Sequence, residues 1–290
     1  MAGSLASTIP GLVGRARFEV IPAKAIEEKV LEHVPRDRTI TVTASPAKGL
    51  GSTISLAERL AGHGYRVVPH LSARLVVDGG HLRDLVDTLT AIGVDDVFVP
   101  AGDAASPAGR YEGSLSLLRD LDTLGRPFPN VGITGYPEHH PSIHDDVTVQ
   151  AMWDKRQHAT YIVSNLCFDP AAYRDWVLRV RARGVTLPIL TGMAGPVDNT
   201  KLLSLAAKIG VGTSARMLSN HGGWFLRLAA PGGYRPDRLL GKLAPSLTSP
   251  DSRISGLHVF TFNQVAEAEA WRASVLARQT ASAPARTATG

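Results

Sequence analysis

Along this chain, short runs of β-branched and apolar residues alternate with longer amphipathic stretches, from Phe18 almost to the C-terminus. The strand-like runs cover residues 18–22, 39–43, 66–70, 96–99, 130–135, 161–168, 187–191 and 257–262. Several are nearly continuous in apolar character, as expected of parallel strands covered on both faces. Between them, residues 25–34 carry Ile26, Val30 and Leu31 on one face and Glu27, Glu28 and Glu32 on the other. Residues 53–64 set Leu56 and Leu60 one turn apart and stop at Gly62 or Gly64. The stretches 81–92, 114–124, 170–183 and 200–209 repeat the plan, with helix starts at Asp169-Pro170 and Asn199-Thr200. Eight strands with helices between them predict a single (β/α)8 TIM barrel, an α/β fold of about 250 residues.

This reading gives an N-terminal lead-in at 1–15 anchored by Leu12 and Val13, a barrel catalytic domain at 16–277, and a disordered tail at 278–290. Residues 211–255 read as an elaborated passage between strands seven and eight. They hold Asn220-His221-Gly222-Gly223-Trp224, Pro231-Gly232-Gly233-Tyr234 and a helix-like 237–243, and a last helix follows at 264–276.

Composition narrows the function classes. The 290 residues are 44% hydrophobic, ample for a core, and no apolar run reaches transmembrane length. The N-terminus does not resemble a secretory signal, so a cytoplasmic location is expected. Cys167 is the single cysteine and lies in an apolar run, which suits a packed thiol in a reducing compartment better than a nucleophile. The formal charge of +5 is spread along the chain, and aromatics are only 6%. That is a solvated basic surface rather than a nucleic-acid face, with room for a basic pocket that takes an anionic small molecule.

Glu19, in Phe18-Glu19-Val20-Ile21-Pro22, sits among apolar neighbours in the first strand. Facing inward there, its carboxyl is expensive to ionise, and desolvation would keep a general acid protonated near neutrality. The plainer alternative is that it faces out, or pairs with Arg17 or Lys24. Other polar residues fall at strand ends, where a barrel gathers its chemistry. Strand two ends at Thr43, strand three at His70, and strand four runs into Ala101-Gly102-Asp103. Strand five ends in Gly135-Tyr136-Pro137-Glu138-His139-His140-Pro141, and strand six carries Ser164-Asn165. Singly, His70 could bond a loop carbonyl, Asp103 could cap a helix, and Asn165 could satisfy a backbone group. Together they point at one mouth. His139, His140, His144, Asp145 and Asp146 lack a recognised metal-ligand spacing, so a solvated loop is expected there and no metal site.

These pieces, over most of residues 17–276, resemble the methylenetetrahydrofolate reductase family. Phe18-Glu19-Val20-Ile21-Pro22 is similar to the family's Phe-Glu-Phe-Phe-Pro-Pro strand with its catalytic glutamate. Val42-Thr43 and Pro69-His70-Leu71-Ser72 resemble its second and third strands. Ala101-Gly102-Asp103 stands where the family has Arg-Gly-Asp. Tyr136-Pro137-Glu138-His139-His140-Pro141 is close to Tyr-Pro-Glu-X-His-Pro, the most specific match. Asn165 stands for the usual glutamine before Phe168-Asp169, and Phe260-Thr261-Phe262-Asn263 resembles Tyr-Thr-Leu-Asn. The departures lie on the flavin side. Arginine becomes Ala101, the lysine-bearing segment near Lys155-Arg156 is about two residues shorter, and Gln264 replaces an arginine. Fewer cationic contacts weaken the hold on a pyrophosphate, and no Gly-X-Gly-X-X-Gly fingerprint compensates.

The resemblance implies reduction of 5,10-methylenetetrahydrofolate to 5-methyltetrahydrofolate. Glu19 would act as general acid, Asp103 would steady developing positive charge, and Asn165 and Phe262 would contact the folate. Thr43, His70, Gly102, Tyr136, His140 and Lys155 fall on the cofactor side. The electron source is NADH or NADPH, either directly or through FAD, the family default, with direct transfer favoured by the eroded flavin contacts. A standard FAD-dependent reductase is the alternative. A barrel that binds folate or a partner protein without turnover is the rival from another class. Neither nucleic acid nor a membrane is an expected partner, and a homo-oligomer is left open.

Overall fold

The computed structural model describes residues 8–140, 143–197 and 234–282. Eight parallel strands form one sheet in the order β3-β2-β1-β8-β7-β6-β5-β4. They are β1 Arg17–Val20, β2 Thr39–Val42, β3 Arg66–Pro69, β4 Asp96–Phe98, β5 Asn130–Gly135, β6 Tyr161–Ser164, β7 Ile189–Ala194 and β8 Ile254–Phe260. A bridge between His70 and Phe98 joins the two outer strands and closes the sheet as the barrel that the alternating pattern predicts. The sixth strand stops at Ser164 rather than at 168. The eighth begins at Ile254, three residues earlier than its apolar run.

Nine helices among the described residues surround the strands: α1 Ile9–Gly14, α2 Ile26–His33, α3 Gly49–Gly62, α4 Gly79–Ala91, α5 Ser114–Thr123, α6 Asp145–Lys155, α7 Pro170–Ala182, α8 Pro236–Thr248 and α9 Val265–Ser282. The lead-in is thus partly helical, and its anchors Leu12 and Val13 are fully buried where α1 meets β8 and α9. The last helix reaches Ser282, past the boundary expected for a tail. The expected helix at 200–209, its Asn199 start, and the glycine-rich stretches at 220–224 and 231–233 lie outside the described residues. No helix among the described residues is long and apolar enough to cross a membrane.

Strand residues alternate between two environments. Phe18 and Val20 of β1 pack outward into the core shared with the helices. Inside the barrel, Val68, Phe98, Tyr161, Val163 and Leu190 form a separate cluster. Beneath it, the first residues of three strands meet. Arg17 lies 2.9 Å from Asp96 and donates to the Tyr161 hydroxyl at 3.0 Å, and that hydroxyl donates to Asp96 at 2.8 Å. Arg17, one of the two partners that the sequence offers Glu19, is therefore engaged at the opposite end of the barrel. Removing one member of such a buried set strands the other charge, which costs about 3–5 kcal/mol.

Candidate active site

Glu19 is the third residue of β1, and its side chain is 13% exposed. Its surroundings are not purely apolar, as the flanking sequence suggested, because two imidazoles face it. Glu19 Oε2 lies 2.9 Å from His258 Nε2, and His70 Nε2 lies 3.9 Å from the same oxygen. His258 comes from β8 and His70 follows β3, so three strands deliver this cluster. Both rings are buried. His258 Nδ1 and His70 Nε2 have no hydrogen-bond partner. Burial pushes the His70 imidazole down to about 4, although the Glu19 carboxyl pulls the other way. His70 also stacks edge-on to Phe98, with ring centres 4.7 Å apart, in place of the loop carbonyl that its sequence context suggested.

The β1 backbone is fixed from β8. Thr261 donates its hydroxyl to the Glu19 carbonyl at 2.5 Å. Asn263, with φ of 63°, accepts from the Ile21 amide at 2.8 Å and donates to the Ile21 carbonyl at 2.9 Å. An asparagine side chain here extends the ladder where the strand has ended.

Thr43, His70, Asp103, Tyr136 and Asn165 each follow the C-terminal end of a strand, so all five stand at the same end of the barrel as the Glu19 cluster. Thr43 donates its amide to the Val20 carbonyl at 3.0 Å. Gly102 has φ of 93°, and a β-carbon there would come within 3.0 Å of the Ser72 side chain. Asp103 is exposed and caps no helix, since α5 starts at Ser114. Burial raises the Tyr136 phenol and lowers the His140 imidazole, and the Asp103 carboxylate pulls both upward to a smaller degree. The two rings lie 4.8 Å apart, so the three stand together. Asn165 is exposed, with Oδ1 accepting from the Leu166 amide at 2.8 Å. Phe262, with φ of 51°, joins Phe168, Tyr234 and Val197 in an apolar cluster beside β7 and β8.

The family model for methylenetetrahydrofolate reductase matches residues 26–215, well over half of the chain. The chain belongs to the methylenetetrahydrofolate reductase family. Among solved structures, it is similar to a protein described as a lyase/mutase from Burkholderia cenocepacia J2315. That likeness has 12% identity over 92% of this chain and 80% of the other, with a TM-score of 0.49. It is also similar to Yersinia pestis DHPS, with 13% identity, 92% and 95% coverage and a TM-score of 0.44. Neither bears on the reading of the site.

As a methylenetetrahydrofolate reductase family member the chain would be expected to hold a flavin, and the described residues fit one poorly. Lys155 occupies the last turn of α6. That turn packs at the foot of the barrel, where Trp153 meets Gly184 ahead of β7. Lys155 is therefore not brought to the mouth with the other residues. Position 101 is alanine, and Arg74 spends its guanidinium on the carbonyls of Ala104, Ala105 and Glu112. Arg110 is likewise held by Asp120 and Tyr111.

Two roles in this site escaped the sequence reading. His258 sits two residues before Phe260-Thr261-Phe262-Asn263, and strand alternation alone would have turned it inward with Phe260. Glu138 of the Tyr-Pro-Glu motif takes a structural part: Oε1 accepts from the amides of Phe168 at 2.6 Å and Asp169 at 2.5 Å, tying the β5 and β6 loops together. The Cys167 thiol also meets this carboxyl at 3.3 Å, and burial raises it well above the usual thiol range, which suits a packed residue. In the histidine-rich loop, Asp145 is taken by His139 at 2.6 Å and Arg179 at 3.2 Å. His144 Nδ1 caps α6 by accepting from the Asp146 amide at 3.4 Å.

Proposed function

We propose that this chain reduces 5,10-methylenetetrahydrofolate to 5-methyltetrahydrofolate with a hydride taken directly from NADH or NADPH. The observation that carries the reading is a carboxyl inside the mouth of a barrel of this family, on a strand whose backbone is held by Thr261 and Asn263 just past β8. Glu19 gives its proton to N10 of the bound folate as the bond from N10 to the bridging carbon breaks, leaving a 5-iminium cation. Asp103 balances that charge from the β4 loop. The hydride from the dihydronicotinamide then reaches the exocyclic carbon, giving the methyl group and the oxidised nicotinamide. Glu19, left as carboxylate, takes a proton from water to restart the cycle. Asn165, with its amide nitrogen turned to ligand, reads the pterin edge, and Phe262 packs on the folate.

Thr43, Gly102, Tyr136 and His140 lie on the donor side, with His70 between the donor and Glu19. A site whose described residues offer few unpaired cations suits a dinucleotide that binds and leaves each turnover better than a flavin that must stay bound. The barrel domain at 16–277 carries the whole reaction. A rival in which the chain binds folate without turnover gains nothing from a carboxyl held this way.

The purified protein should lack the absorption band near about 450 nm that oxidised flavin gives. NADH deuterated on one face of its ring should pass the label to the product methyl without loss to solvent. Reduction of the protein by NADH before folate is added would sink direct transfer in favour of the FAD-dependent reaction.

A further inference from the structure

We propose that His258 is the positioning residue of the general acid: it carries its ring proton on Nε2, donates it to Glu19 Oε2, and so leaves Oε1 as the atom that holds the transferable proton. The inference rests on the reading of Glu19 as proton donor. Three observations carry it. The His258 side chain is 2% exposed, and its Nε2 lies 2.9 Å from Glu19 Oε2. Its Nδ1 is buried and has no partner. Among the described residues, nothing hydrogen-bonds Glu19 Oε1.

The tautomer follows from what a buried ring can tolerate. A proton on Nδ1 would be a donor shut away from water with nothing to accept it, the costlier way to leave a buried ring. A bare Nδ1 lone pair is the cheaper atom to leave alone, so the proton belongs on Nε2, where Glu19 takes it. With Oε2 occupied as acceptor, a proton added to the carboxyl goes to Oε1.

The other charged and titratable groups around the ring are few. His70 lies across the cluster, 6.4 Å from His258 between ring centres. Arg17 pairs in register with His258, but its guanidinium turns away to Asp96 and Tyr161. From β7 the facing residues are uncharged, and Phe260 stacks edge-on to the ring at 4.8 Å. The carboxyl is therefore the one strong acceptor within reach of His258 among the described residues.

Two measurements test this. Nitrogen NMR of the resting full-length protein, with histidine rings labelled, should show His258 protonated at Nε2 and bare at Nδ1. A ring protonated at Nδ1 overturns the proposal. In steady-state kinetics, His258→Gln supplies an amide donor near Nε2 and should keep kcat within about tenfold. His258→Leu removes the donor and should lower kcat about 10²-fold, the scale of a misplaced catalytic group, with both KM values unchanged. Equal kcat for the leucine variant and the parent would also overturn it. Failure of the parent protein to form 5-methyltetrahydrofolate is a different result: it removes the proposed function, while the ring tautomer is still read on the resting protein.

Discussion

The role proposed for Glu19 as proton donor can be removed without changing the shape of the side chain. Glu19→Gln keeps an oxygen to accept from His258, so the cluster should stay assembled. Reductase turnover should nevertheless fall about 10²–10⁴-fold, the usual worth of acid–base catalysis. Folate affinity should barely change, because the lost interaction belongs to the transition state. Turnover and melting measured on the same variant decide the matter: a protein that melts lower yet turns over normally would make Glu19 a structural residue. Its neighbour His70 makes a separate prediction about pH. The folded protein holds its imidazole down to about 4, against 6.5 in an unfolded chain. Between those values the unfolded state binds a proton that the folded state refuses, so stability rises with pH across this window and is lost on acidification. The full effect is on the order of 3 kcal/mol. Urea midpoints from pH 7 to pH 4.5 should drop less steeply for His70→Gln than for the parent, and identical slopes would rule the effect out.

At the level of elements, the pattern of the sequence was most legible where strands are apolar and helices have one clean face. It failed for α6. Val147 is 57% exposed there while Thr148 is buried, so the polarity that marks a helix face is reversed at adjacent positions. The apolar run at 161–168 outlasts β6 for a related reason. Leu166, Cys167 and Phe168 are apolar because they pack in a loop that Glu138 organises, and Asn165 turns the chain through its own side chain. Glu19 could be found because a carboxylate interrupts an apolar run. His258 interrupts one too, but a histidine in a strand gives no comparable alarm until its partner is seen. The placement of α6 yields a prediction for Lys155. Burial pulls its ammonium down to about 8, so its charge weakens the fold at neutral pH. Lys155→Met should stabilise the protein by about 1 kcal/mol at pH 7, after allowance for partial exposure. KM for the nicotinamide donor should be unchanged. A raised donor KM would restore Lys155 to the cofactor site.

Considered whole, the molecule brings together residues from its two ends. Glu19 and His258 stand on the first and last strands and meet because β1 pairs with β8. The family match ends at residue 215 and starts at 26, so neither lies within it. The weakest part of that circle is elsewhere. Between β3 and β4, ladder pairing is reduced to the His70–Phe98 bridge, helped by amides donated just beyond it, from Leu71 to Phe98, Ala73 to Pro100 and Arg74 to Ala101, and by an exposed Arg66–Asp95 ion pair at the other end. This seam is a clasp as well as a boundary, since His70 lies on one side of it and the loop to Asp103 on the other. A folate touching both sides would hold it shut. Hydrogen–deuterium exchange should therefore find residues 66–75 less protected than residues 254–260 in the free protein, and should show that gap narrowing when 5-methyltetrahydrofolate is added. Equal protection of the two segments in the free protein would show that the barrel does not open there.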